Sequence, residues 1–106
     1  MKLMTQEIER ALLAADRDAP ADQKTILAKF FTPDAQCTWY IVDAEREDDG
    51  DLRMFGLCDL GMGFPELGYV SLRELESVRG KLGLPVERDM HYTGTLADVL
   101  REHGKL

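Results

Sequence analysis

The chain has 106 residues, of which 44% are hydrophobic and 31% charged, and its formal net charge at pH 7 is −7. This length predicts one domain with a modest core, while the lack of a long apolar run and of a signal peptide in MKLMTQEIER predicts a cytoplasmic protein without a membrane span. The negative charge argues against nonspecific binding to nucleic acid or an anionic membrane, because both require basic side chains. It favours a protein partner with a basic surface, although solubility alone also explains it.

The N-terminal segment is predicted to form a helix over about residues 6–17. Thr5 is a suitable N-cap, because its hydroxyl accepts a hydrogen bond from a backbone N–H of the first turn. Apolar residues recur at the spacing of one helix face, namely at Met4, Ile8, Ala11, Leu12 and Ala15. The segment 16–22 that follows is polar and contains Pro20, so we expect a loop there.

Four short β-prone runs follow, and they are predicted to form a sheet. The runs are residues 25–31 (TILAKFF), 37–43 (CTWYIVD), 52–58 (LRMFGLC) and 67–70 (LGYV). Turn-forming residues separate them, at 32–34 (TPD), 48–50 (DDG) and 61–65 (GMGFP). Because successive strands joined by such connections usually pair antiparallel, we expect an antiparallel sheet.

A second helix is predicted from its two ends. Ser71 and Glu74 have the spacing of a capping box, in which the serine hydroxyl and the glutamate side chain each accept a hydrogen bond from the other residue's backbone N–H. The helix should end at Gly80, since glycine suits the left-handed conformation that often follows a helix.

A last strand and a last helix complete the predicted fold. The strand is expected over residues 86–92 (VERDMHY), and Thr95 with Asp98 three residues on should start a helix that continues through about residue 103. The element order α-β-β-β-β-α-β-α lacks a regular βαβ alternation. It therefore predicts an α+β fold: a single domain with a mostly antiparallel sheet of about five strands and about three helices packed against it.

An acidic run over residues 43–51 (DAEREDDGD) raises the question of a calcium site. Aligning Gly50 with the invariant glycine of an EF-hand loop brings acidic residues to the first, third and fifth positions. The bidentate glutamate required at the last position, however, falls on Gly56. We therefore predict a solvated hairpin loop and no metal site, because the Asp-Gly pair is a strong turn signal.

The predicted last strand suggests one catalytic site. An alternation of two places Glu87, Asp89 and His91 on the same face, and two carboxylates beside an imidazole are able to bind a divalent metal or to transfer protons. No nucleophile–base pattern elsewhere in the sequence completes the site. The alternative is the polar outer face of a strand, and the sequence favours that alternative.

Aromatic residues flank the turn in residues 29–40 (KFFTPDAQCTWY). Phe30 and Phe31 should point to opposite faces of the sheet, as should Trp39 and Tyr40, so each face receives one ring from each strand. Stacking on single-stranded nucleic acid needs such rings beside basic residues, and only Lys29 is near. The hairpin is therefore predicted to build mainly the core, with at most one of its faces exposed to a protein partner.

Three stretches together resemble a known family. They are KFFTPDAQCTWY (29–40), FGLCDLGMGFPELGYVSLRELESVRGKLGLPVERDMHY (55–92) and the opening MKLMTQE. The chain resembles a family of small bacterial proteins of unassigned function, typically encoded on conjugative plasmids and other mobile elements, sometimes near antirestriction genes. The resemblance implies a biological setting but no catalytic residues and no cofactor.

Our leading interpretation is a non-enzymatic accessory protein of mobile DNA that binds a host or element-encoded protein. In an antirestriction version, carboxylates take the place of DNA phosphates on a DNA-binding partner. The residues assigned to that version are Asp43, Glu45, Glu47, Asp48, Asp49, Asp59 and Glu66. Two alternatives are an enzyme that uses Glu87, Asp89 and His91, and a single-stranded DNA-binding protein that uses Phe31, Trp39 or Tyr40 with Lys29.

Overall fold

The computed structural model describes residues 2–105, and it confirms the predicted α+β class. The elements in chain order are α1 (Gln6–Ala14), a 3₁₀ turn (Ala21–Gln23), β1 (Ala28–Phe31), β2 (Thr38–Arg46), β3 (Leu52–Asp59), β4 (Glu66–Ser71), α2 (Leu72–Ser77), β5 (Glu87–Arg88) and α3 (Leu96–Glu102). All strand pairs are antiparallel, in the order β4-β3-β2-β1-β5. Among the described residues, none of the helices has the length and apolar character needed to span a bilayer.

The register places two of the hairpin turns at the same end of the sheet. Phe31 lies opposite Thr38, which in turn lies opposite Asp59, and Cys58 lies opposite Glu66. The β1–β2 and β3–β4 connections are therefore neighbours. The β2–β3 connection, which holds the acidic loop, lies at the opposite end.

The middle of β2 contains an irregularity that exchanges the faces of its side chains. Pairing passes from Ile41 opposite Gly56 to Asp43 opposite Phe55, so Val42 is an extra residue on this strand. A strict alternation from Trp39 would put Asp43 on the same face as the tryptophan. The bulge puts it on the other face, because directly opposed residues share a face.

The two faces of the sheet support two apolar clusters. On the first face, Phe30 and Trp39 lie opposite each other and pack against Leu12 of α1. On the second face, Leu57 packs with Leu96 and other residues of α3. Trp39 is only 4% exposed, so its proposed role as a displayed binding residue is wrong: α1 covers the face to which its ring belongs.

The predicted capping box at Ser71 and the predicted helix start at Thr95 are confirmed, but the first two helices are shorter than predicted. Hydrogen bonds run both ways between Ser71 and Glu74 and between Thr95 and Asp98. Helix α1 stops at Ala14 and not at residue 17, because the Asp16 side chain accepts the Asp18 N–H (3.0 Å) in a turn that competes with the helix.

Helix α2 ends at Ser77 and not at Gly80, whose φ is not in the left-handed region. Val78 is already extended, and Arg79 forms a bridge with Pro85. The Gly80 N–H donates to the Leu84 carbonyl (3.0 Å). This segment therefore leaves the helix early because a tight loop, residues 80–84, follows it.

Three strand predictions also need correction. Strand β1 starts at Ala28 and not at residue 25, where Thr25 forms only an isolated bridge with Thr95. Strand β2 continues to Arg46, so the first four residues of the predicted loop 43–51 are strand. Strand β5 has two residues and not the seven of 86–92, because the Asp89 side chain accepts the His91 N–H (3.0 Å) and turns the chain.

Candidate functional site

Three loops meet at one end of the sheet: residues 32–37, 60–65 and 80–84. The first and third are joined by Asp34, whose Oδ2 accepts hydrogen bonds from the backbone N–H groups of Leu82 (2.6 Å) and Leu84 (3.3 Å). A Cβ at Gly80 would overlap the Asp34 carboxyl group. Glycine is therefore required here by the close approach of the carboxylate, and the TPD turn holds loop 80–84 in place.

The second loop is also fixed to the first. Gly61 has a φ of +76°, and a Cβ at this position would lie 2.8 Å from the Gln36 Cβ, so only glycine fits the turn. The Asp59 carboxylate accepts the Gly61 N–H (2.9 Å), and the Cys37 thiol lies 3.7 Å from the Leu60 carbonyl oxygen. These contacts give the β3–β4 connection a defined conformation.

Large apolar side chains project from this structure into solvent. Phe64 is 79% exposed, Met62 is 74% exposed and Leu82 is 80% exposed. We call the full set the apolar loop end, and its residues are Leu60, Met62, Phe64, Leu82 and Leu84. Exposed apolar residues that occur singly are normal, but a group on adjoining loops is typical of a contact surface.

Two of the predicted acidic binding residues lie next to the apolar loop end. Asp59 is at the end of β3, where its carboxylate is 4.0 Å from the His103 Nε2 atom. Glu66 is exposed at the start of β4, immediately after the apolar residues of the β3–β4 loop. Both are therefore placed to provide negative charge at the rim of the apolar loop end.

The other predicted acidic residues lie at the opposite end of the sheet, and arginines accompany most of them. Glu45 pairs with Arg53 (2.8 Å) and Arg17 (3.3 Å), and Glu47 also reaches Arg53 (3.5 Å). Asp49 pairs with Arg73 (3.3 Å), while Asp48 is exposed. These pairs reduce the negative field that the acidic loop presents.

Asp43 does not belong to the acidic loop. It is buried in β2, where its Oδ2 accepts a hydrogen bond from the Lys24 ammonium (3.0 Å). The assignment of Asp43 to a displayed carboxylate surface is therefore wrong, because the bulge at Val42 turns this side chain beneath the chain segment that follows α1.

The candidate catalytic residues are not brought together as the sequence predicted. Glu87 is in β5, Asp89 lies 3.8 Å from Lys29 in an ion pair, and His91 is exposed beyond the turn. Within residues 2–105, no group of three or more His, Cys, Asp or Glu side chains is arranged to hold a metal ion. The alternation that would align the three residues stops after Arg88.

The remaining aromatic candidates lie on the second face of the sheet. Phe31 and Tyr40 are half-buried, and the Tyr40 ring contacts those of Tyr92 (5.8 Å between centroids) and His103 (6.4 Å). Burial raises the pKa of the Tyr40 hydroxyl, and nearby Tyr92 raises it further. Tyr40 therefore stays neutral at physiological pH and forms part of an aromatic cluster beside α3.

From the sequence, residues 61–65 (GMGFP) were interpreted only as a connection, and their apolar side chains were not assigned to a surface. A signal was present, since Met62 and Phe64 alternate with glycines in a segment that turn chemistry excludes from the core. The exposure of Leu82 could not be inferred in the same way, because it depends on the long-range contact of loop 80–84 with Asp34.

Residues 3–100 match a known protein family that is described as "Protein of unknown function (DUF2958)". The matched region contains the whole sheet and all three loops of the apolar loop end. Neither the curated proteins nor the solved structures contain a match to this chain.

Proposed function

The chain belongs to the DUF2958 family of proteins of unknown function, and on this premise we propose that it is a non-enzymatic protein-binding module whose contact surface is the apolar loop end. The observation that carries the proposal is the exposure of Met62, Phe64 and Leu82 on loops that are fixed to one another. Burial of such side chains by a partner removes apolar area from water, at about 25 cal/mol for each Å².

The fixed loops support binding for a second reason. Asp34 holds loop 80–84 through two hydrogen bonds, and Gly61 seats loop 60–65 against Gln36. A surface that is ordered before it binds loses less conformational entropy on association, so more of the contact energy contributes to affinity. The arrangement therefore suits a partner with a complementary apolar patch.

The charge of the chain points to a partner with a basic surface. Asp59 and Glu66 flank the apolar residues, and the whole chain carries a net charge of −7. Opposite charges speed association and select the partner. Since the sequence resembles proteins of mobile elements, we propose a cytoplasmic accessory role in which the partner is a host or element-encoded DNA-binding protein. The antirestriction version would use these two carboxylates in place of DNA phosphates.

The proposal is tested by affinity capture with the full chain, from nuclease-treated and untreated bacterial lysates. The captured protein is identified, purified and titrated against the chain by calorimetry at low and at high salt. The variant carrying Met62→Ser and Phe64→Ser is compared with Met90→Ser, which changes an apolar side chain that is 66% exposed and belongs to none of the three loops. We expect the double variant to weaken binding by about tenfold or more, Met90→Ser to have no effect, and high salt to weaken binding.

Four outcomes would overturn the proposal. The first is an unchanged affinity for the double variant. The second is an effect of Met90→Ser as large as that of the double variant. The third is capture that disappears on nuclease treatment, since the chain would then be bound through nucleic acid. Size-exclusion chromatography with light scattering also tests whether the loop end joins two copies of this chain, which would contradict a basic partner.

A further inference from the structure

A cleft on the second face of the sheet has features that the apolar loop end lacks. It has a volume of about 280 Å³ and lies between strands β2 to β4 and the segment that links α1 to β1. We call it the sheet cleft, and its chemistry comes from Arg17, Lys24, Asp43, Arg53, Phe55 and Tyr69. The volume is just below the range for small-molecule sites, which is about 300–1,000 Å³.

A buried ion pair forms one wall of the cleft. Lys24 Nζ lies 3.0 Å from Asp43 Oδ2, and the two side chains are only 9% and 6% exposed. Burying two charges costs more solvation free energy than a surface pair does, so such a pair contributes little net stability. Among the described residues, the Lys24 ammonium donates to Asp43 and to the Arg17 carbonyl (3.1 Å). An ammonium has three donors, so one forms no hydrogen bond to these residues, and Nζ also lies 5.2 Å from the centre of the Phe55 ring.

Two aromatic rings form the floor of the cleft. The centroids of Phe55 and Tyr69 are 5.0 Å apart, and the Arg53 guanidinium lies 4.8 Å from the centre of the Tyr69 ring. Tyr69 is 64% exposed, so most of its side chain is open to solvent at the edge strand β4. A flat ring beside a guanidinium group is a common platform for stacking a planar ligand.

The side chains that line the cleft are more basic than the chain as a whole, and each of the cations is paired with a carboxylate. Its lining contains three cationic side chains and two carboxylates, although the net charge of the chain is −7. Glu45 accepts a hydrogen bond from Arg53 (2.8 Å) and forms an ion pair with Arg17 (3.3 Å), so it holds the two guanidinium groups at the rim. A local excess of positive charge favours an anionic ligand, and the carboxylates favour one that also has hydrogen-bond donors.

We propose that the sheet cleft binds a nucleoside monophosphate. The base stacks on Tyr69, the phosphate is bound by Lys24 and Arg17, and Asp43 or Glu45 accepts a hydrogen bond from a ribose hydroxyl or an exocyclic amine. This class combines a planar ring, an anionic group and several donors in a molecule of the size that the cleft accepts. The proposal is independent of the apolar loop end, which lies on other residues.

The test is an NMR titration of the full ¹⁵N-labelled chain with each of the four ribonucleoside monophosphates and with inorganic phosphate. We expect saturable shifts at the amides of Phe55 and Tyr69 with at least one nucleotide, and no comparable shifts with phosphate. Tyr69→Ala should weaken binding by about tenfold, since stacking on one ring contributes a factor of this order. Tyr69→Phe keeps the ring and should recover most of the affinity that Tyr69→Ala loses. Thermal unfolding confirms that each variant is folded.

Two exposed arginines provide a matched pair of variants. Arg17 lines the cleft and Arg73 does not, yet both are more than half exposed and each pairs with a carboxylate. Arg17→Gln should weaken nucleotide binding and reduce its salt dependence, whereas Arg73→Gln should leave both unchanged.

Four results would overturn the nucleotide proposal. They are the absence of saturable shifts with all four nucleotides, equal binding of inorganic phosphate, unchanged affinity of Tyr69→Ala, and binding of a single-stranded oligonucleotide but of no mononucleotide. The variant with Met62→Ser and Phe64→Ser separates the two proposals, since it should bind the nucleotide with unchanged affinity.

Discussion

The substitution Gly56→Ala is expected to destabilise the protein more than any other exchange of a glycine in the sheet. Gly56 lies in β3 opposite Ile41, next to the bulge at Val42. A Cβ at this position would lie 2.7 Å from the carbonyl carbon of Tyr40 and 2.9 Å from the Ile41 Cα, and it would overlap the Tyr40 carbonyl oxygen. All of these atoms belong to the backbone, so no side-chain rotation relieves the contact.

The cost follows from the displacement that the methyl group requires. Carbon atoms in ordinary contact are about 3.5 Å apart, so β2 and β3 must separate by about 0.8 Å or more at the centre of the sheet. This lengthens the neighbouring ladder hydrogen bonds beyond their normal range, and each contributes about 1 kcal/mol. Together with an overpacking strain of about 1–3 kcal/mol, the expected loss is about 3–5 kcal/mol in the free energy of unfolding.

Gly68 provides the control, because it lies directly opposite Gly56 on the neighbouring strand β4. A Cβ at Gly68 meets no atom within 4 Å, so Gly68→Ala should change stability by no more than about 0.5 kcal/mol. Urea unfolding is followed by the fluorescence of Trp39, the single tryptophan, which is buried at 4% exposure. The reasoning is refuted if Gly56→Ala costs less than about 1 kcal/mol, or if Gly68→Ala costs as much.

Three further predictions concern the ion pair, the loop end and a helix cap. Lys24→Met should lower the free energy of unfolding, measured in urea, by about 3–5 kcal/mol, because Asp43 is then buried without its partner. Adding Asp43→Leu should recover most of that loss. A loss below about 1 kcal/mol for Lys24→Met would contradict a coupled pair. Gly80→Ala should displace the Asp34 carboxylate, which holds loop 80–84. The Leu82 amide should then exchange its hydrogen faster while the exchange rates of core amides do not change. An unchanged exchange rate at Leu82 would argue against the hydrogen bond from Leu82 to Asp34. The hydrogen bond from the backbone N–H of Thr95, the N-cap of α3, lowers the pKa of Asp98. The Asp98 carboxylate therefore stabilises the fold at pH values above its unfolded pKa of about 3.9. This contribution disappears as the pH falls through the lower pKa of the folded state. The stability difference between the unaltered chain and Asp98→Asn should therefore shrink in acid, and a difference independent of pH would be inconsistent with the cap.

Local signals in the sequence predicted the elements well, and long-range contacts explain where they failed. The capping boxes at Ser71 and Thr95 depend on residues three positions apart, so the sequence contains all the information. The end of α2 was misplaced because Gly80 has a different role, which depends on Asp34 at a distant position in the chain. The last strand was predicted too long because an alternating pattern does not reveal the turn that Asp89 forms with His91.

The bulge at Val42 had the largest effect on the predicted site. A period of two predicts the face of every residue in β2 up to Ile41 and then fails, since one extra residue exchanges the faces beyond it. Asp43 was grouped with the acidic loop because it begins the acidic run, and the sequence does not reveal the bulge that places its side chain in the sheet cleft. Phe55 and Tyr69 come from different strands, and only the pairing of β3 with β4 brings them together.

The order of the strands makes the two edges of the sheet unequal. Strand β5 presents an edge of only two residues, whereas β4 presents six residues, Glu66–Ser71. A long edge with free backbone groups is a template for pairing with another strand, and native proteins protect such edges with charges and bends. In this chain the β4 edge begins with Glu66, two residues after the exposed Phe64. The negative charge of Glu66 therefore opposes edge-to-edge aggregation, and replacing it with an apolar residue would extend the exposed apolar area along this edge and favour aggregation.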